Sequence, residues 1–110
     1  MKRWFKRFTG ALASIFQPKW RLRKVEEVPD RPKARTVYLV GETGNEWACA
    51  MRCPCGCREA IVLNLIKAAG RPRWDLNLSP KGIPSIRPSV WRTTGCRSHF
   101  ILRQGRIEWY

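Results

Sequence analysis

Three observations in this sequence of 110 residues predict a mainly β domain, α+β once an amino-terminal helix is added. From residue 36 onward, short runs rich in β-branched and aromatic residues are separated by turns containing Gly and Pro. Cys53, Cys55 and Cys57 fall within five residues, and Cys96, Ser98 and His99 within four, each group at the end of such a run. The first segment instead repeats its apolar residues at helical spacing.

That segment places Trp4, Phe8, Leu12, Ile15 and Phe16 three and four residues apart, with Lys2, Arg3, Lys6 and Arg7 at its amino end. Residues 1–17 are therefore expected to form a basic amphipathic helical arm, a type that lies on anionic membrane surfaces or docks on a partner. Residues 18–35 lose the apolar period, and Pro18, Pro29 and Pro32 alternate with charges, so a Pro-rich charged linker or extended arm is expected there. The remaining residues, 36–110, read as one antiparallel β domain.

Its first strand is Thr36 to Val40, followed by a turn over Gly41 to Asn45 and a returning strand from Glu46 to Arg52 that runs into the cysteine cluster. Ala60 to Ile66 is apolar enough for a buried strand, although two helical turns fit the same length. Trp74, Leu76 and Leu78 alternate with period two and should share a buried face. Pro84 and Pro88 exclude a central strand over Ile83 to Val90 but permit an edge strand or extended loop. Phe100 to Arg103 and Arg106 to Trp109 flank Gln104-Gly105, a two-residue hairpin signal.

The net charge is +14, and basic residues are spread along the whole chain. A field of this size speeds encounter with nucleic acid, anionic membrane or acidic protein without selecting among them. Five cysteines cannot all pair within one chain, and Lys6 and Arg7 interrupt the apolar stretch that a secretory signal needs. Reduced thiols and a cytoplasmic location are the expectation. No apolar run approaches the roughly 20 residues of a membrane-spanning helix.

Thiolates clustered at two strand ends suit a structural zinc ion, which takes four tetrahedral ligands and stabilises a domain with a modest core. Two ligand sets fit the spacing. In one, Cys53, Cys55, Cys57 and Cys96 bind Zn2+ and His99 is free; in the other, one thiol of the tight cluster drops out and His99 replaces it. Cys49, within a strand, reads as a core residue.

A free His99 can serve as a base. Ser98 and His99 are adjacent on an extended strand and point to opposite faces, so Ser89 is the better nucleophile for a Ser/His pair. Asp75, Glu59 and Asn64 are the available orienting groups, and backbone N-H groups near Gly95 are available for an oxyanion hole. A non-enzymatic basic zinc domain that binds nucleic acid, or an interaction adaptor, is the alternative.

The ordered series Cys53-Pro54-Cys55-Gly56-Cys57, Leu63-Asn64-Leu65, Trp74, Pro88-Ser89-Val90, Cys96-Arg97-Ser98-His99-Phe100 and Gly105-Arg106-Ile107-Glu108-Trp109 resembles the BubE type of small bacterial serine peptidase. The resemblance covers roughly residues 36–110. It implies a hydrolase associated with ubiquitin-like conjugation operons and phage defence, acting on the C-terminal tail or conjugates of a ubiquitin-like protein. It also implies Ser89 and His99 as catalytic residues and the cysteines as zinc ligands.

Overall fold

The computed structural model describes residues 18–67 and 70–110. The expected helix over 1–17 lies outside the described residues. Eight strands follow in chain order: β1 Arg21–Val25, β2 Thr36–Glu42, β3 Asn45–Arg52, β4 Ala60–Asn64, β5 Asp75–Leu78, β6 Pro84–Trp91, β7 His99–Arg103 and β8 Arg106–Trp109. They form two four-stranded sheets, one in the order β1-β2-β3-β4 and one in the order β5-β6-β7-β8. All pairings are antiparallel except that of β1 with β2.

One core joins the sheets. Val37, Cys49, Met51, Ile61 and Leu63 from the first sheet cluster with Ile86, Val90, Phe100 and Leu102 from the second. The opposite face of the first sheet is also covered, because Tyr38, Val40, Ala48 and Ala50 pack beneath Val25 and Val28. This double burial explains why β2 and β3 read as almost continuous apolar runs. In β4, by contrast, Ile61 and Leu63 are buried while Val62 between them is 49% exposed, an alternation that only a strand produces.

The segment 18–35 contains β1 and then bends and turns before β2. Trp20 is buried in the joint core and donates its backbone N-H to the Gly105 carbonyl, and β1 adds a parallel edge strand to β2. Its apolar period is weak because β1 buries only Leu22 and Val25, each in part, between exposed Arg21, Arg23 and Lys24.

The turn expected over 41–45 is tighter. Gly41 stays within β2 at an irregularity of register, where a Cβ would lie 2.7 Å from the Asn45 carbonyl oxygen. Trp74 and Leu76 are partly buried as predicted, but Leu78 at the end of β5 is 46% exposed.

The largest correction concerns β6. Despite Pro84 and Pro88 it is a central strand, between β5 and β7. Pro84 sits at its first position, and Pro88 falls inside a bulge: Ile86 pairs with Leu102 and Val90 with Phe100, so β6 spends four steps where β7 spends two. A bulge relieves those residues of ladder duty and tolerates a missing N-H. The β7-β8 hairpin is as predicted, with Gln104 and Gly105 both at positive φ, as a type I′ turn requires.

Candidate active site

The bulge in β6 turns Ser89 outward. Its carbonyl accepts a hydrogen bond from the Trp74 indole Nε1 at 3.3 Å, which fixes the bulge against the start of β5. Two residues on, Trp91 pairs across the ladder with His99. Residues i and i+2 share a face, and directly paired residues do too, so Ser89, Trp91 and His99 emerge together on the face of the second sheet away from the core. Val90 and Phe100, the intervening positions, point into the core.

Ser89 Oγ and His99 Nε2 are 2.9 Å apart, a full hydrogen bond between two half-buried side chains. The structure thus brings together the pair that alternation selects. Ser98 points away, its Oγ 3.2 Å from the Cys96 sulfur.

None of the three expected orienting groups reaches His99. Glu59 is ion-paired with Arg92, Asp75 with Arg73, and Asn64 is committed to the backbone of Ile66 and Pro72. Among the described residues, no carboxylate or amide side chain is hydrogen-bonded to the imidazole. Instead the ring is stacked on both sides: Trp91 at 5.3 Å between centroids and 18° between planes, Tyr110 at 4.4 Å and 22°. The Tyr110 N-H donates to the His99 carbonyl at 2.9 Å, extending the β7-β8 ladder by one residue. Sequence reasoning missed both rings, although Trp91 stands two residues after Ser89. Gly95 borders the Glu59 carboxylate and Arg92, so its turn belongs to the thiol cluster.

Immediately behind His99, the loop from Arg92 to Ser98 meets the loop after β3. Cys53, Cys55, Cys57 and Cys96 have sulfur atoms all within 4.8 Å of one another, with Cys53 buried and the other three exposed. The Cys53 sulfur lies 3.4 Å from Cys55 and 3.7 Å from Cys96. Four sulfurs about 2.3 Å from a tetrahedral ion stand about 3.8 Å apart, so the cluster has the size of a tetrathiolate metal site and could hold a metal ion. His99 is not in it, its Nε2 being engaged by Ser89.

The thiols of the cluster sit in unlike surroundings. Hydrogen bonding from the Ser98 hydroxyl lowers the Cys96 thiol to about 6 and also lowers Cys55, whereas burial pushes Cys53 up to about 12. Arg92 Nη1 lies 3.6 Å from both Cys57 and Cys96 and offsets the excess negative charge of four thiolates. Its guanidinium is held firmly protonated, chiefly by Glu59. Cys49 is apart from the cluster in the core, and burial raises it to about 12, in keeping with a packing role.

A Ser/His pair thus stands on a bulged strand beside a cluster of four thiols. The model of one family, described as "Bacterial ubiquitination-like system serine protease (BubE)", matches residues 24–110. The chain belongs to the BubE family. No curated protein and no solved structure is significantly similar to it. The BubE match includes β2 to β8 and the last two residues of β1, so it starts inside the segment expected to be a linker. By its description the BubE family supplies a serine protease to a bacterial ubiquitination-like system, and membership points to a ubiquitin-like protein as partner.

Proposed function

We propose that this BubE protein is a serine peptidase that uses Ser89 as nucleophile and His99 as general base on the C-terminal tail or the conjugates of a ubiquitin-like protein. The observation that carries the reading is the 2.9 Å contact between Ser89 Oγ and His99 Nε2. Ser89 Oγ attacks the scissile carbonyl carbon while Nε2 takes the hydroxyl proton. The tetrahedral intermediate then expels the amine, to which His99 returns that proton. Water, deprotonated in turn by His99, hydrolyses the acyl-enzyme and restores Ser89.

The tetrathiolate site takes Zn2+ in a structural role, since four sulfur donors leave no open position for substrate. Zinc bound by Cys53, Cys55, Cys57 and Cys96 would staple the loop that ends in His99 to the loop after β3. Reduced thiols and this ligand set suit a cytoplasmic setting. The positive charge, +14, favours encounter with an acidic partner surface.

The test uses a purified ubiquitin-like protein from the same system, carrying a reporter beyond its C-terminal residue. Ser89→Ala should reduce reporter release by at least about 1,000-fold with fold and metal content unchanged. Release at the wild-type rate by Ser89→Ala would remove the mechanism.

A further inference from the structure

In a Ser/His/Asp triad the carboxylate holds the imidazole in the orientation its chemistry needs. Here Glu59, Asp75 and Asn64 are all engaged elsewhere, yet the His99 ring is fixed between two aromatic planes. Core packing does not account for those rings, because Trp91 is 66% and Tyr110 71% exposed. With His99 between them they form one contiguous stacked patch, which is more informative than a single exposed ring.

We propose that Trp91 and Tyr110 are positioning residues that clamp the His99 imidazole toward Ser89, doing sterically what a hydrogen-bonded carboxylate does in a triad. This inference rests on the Ser89/His99 reading above. Two near-parallel faces, at 18° and 22°, leave the ring free to slide or rotate only within its own plane, and the hydrogen bond to Ser89 fixes that remaining freedom. Both rings are supplied by backbone already aligned with His99: Trp91 is its partner on β6, and Tyr110 is bonded to its carbonyl from the end of β8. The negative faces of the rings also favour the imidazolium that forms when Nε2 accepts the Ser89 proton. The clamp therefore acts where charge develops.

Two readouts separate the clamp from general packing. The chain has one histidine, so its imidazole C-H resonances are unambiguous, and stacking between two rings should shift them upfield. The second readout is the rate at which an alkyl fluorophosphonate labels Ser89, which needs an activated serine but no protein substrate. Trp91→Leu and Tyr110→Leu should move the histidine resonances downfield and slow labelling about 10- to 100-fold, the cost of a misplaced base. Trp91→Phe and Tyr110→Phe, which keep an aromatic face, should restore most of the rate.

Leucine variants that label at the wild-type rate, or that leave the histidine resonances in place, overturn the clamp. So does a loss that the phenylalanine variants share equally. Absence of labelling in the wild-type protein, with the upfield resonances present, defeats the Ser89 nucleophile itself and the clamp's catalytic role with it, whereas labelling indifferent to both rings defeats the clamp alone.

Discussion

Cys96 and Cys49 carry the same thiol in opposite surroundings. Cys96 is exposed, beside the Ser98 hydroxyl, and lowered to about 6; Cys49 is 1% exposed in an apolar core and raised to about 12. Only the thiolate reacts with iodoacetamide. In native protein stripped of metal by chelator at pH 7, Cys96 should therefore be alkylated at least about 100-fold faster than Cys49. Because the Cys96 pKa is depressed, its reactivity should persist as pH falls from 9 and decline only through about 6. Peptide mass spectrometry over a pH series checks both statements, and equal rates at the two thiols would contradict the geometry.

At the scale of elements, the cluster joins the loop between β3 and β4 to the loop between β6 and β7, and so bridges the two sheets at one end. The second loop enters from Trp91 and leaves into His99, with Arg92 N-H bonded to the Ser98 carbonyl across its base. Removing the metal ion proposed for this cluster should release both loops before it unfolds the strands, since the sulfurs then lose the ion that holds them together. Hydrogen exchange should rise over residues 53–59 and 92–98, Tm should fall by about 10 °C or more, and Ser89 labelling should slow. Unchanged exchange over 92–98 after chelation would separate the thiol cluster from the Ser89/His99 pair.

The whole molecule depends on a segment that reads as a linker. Trp20 is 6% exposed in the core shared by both sheets, its N-H is held by Gly105, and β1 completes the first sheet. Trp20→Ala should cost about 3–5 kcal/mol, measured as a shift in the denaturation midpoint. That is a large part of the stability of a domain this size. A fragment of residues 36–110 should for the same reason fail to fold cooperatively. Native-like unfolding of that fragment would return the segment to the status of an arm.

β5 was legible because the alternation of Trp74, Leu76 and Leu78 is a local property written directly into the residues, whereas the unbroken apolar run of β4 left strand and helix both open. The Gln104-Gly105 turn was legible for the same reason: its two positive φ values are a demand on two adjacent residues. The thiol clusters and the preference for Ser89 over Ser98 also followed from spacing and strand geometry alone. β1 and β6 were not legible in full. An edge strand that buries two residues carries little pattern, and a prolyl strand becomes central only when a bulge, paired against neighbours distant in sequence, absorbs the missing donor.

What the sequence by itself determined was the β class, the approximate extent of most strands, the grouping of the thiols and the resemblance to the BubE family, all of which reside in residue type and short-range order. Only the tertiary structure decided that His99 stands on Ser89 and outside the thiol cluster, that no carboxylate among the described residues orients it, and that Trp91 and Tyr110 enclose it. Those relations depend on which strands lie side by side, in what register and on which face. Pairing between segments far apart along the chain is set by the burial of the whole core, and no local stretch of residues encodes it.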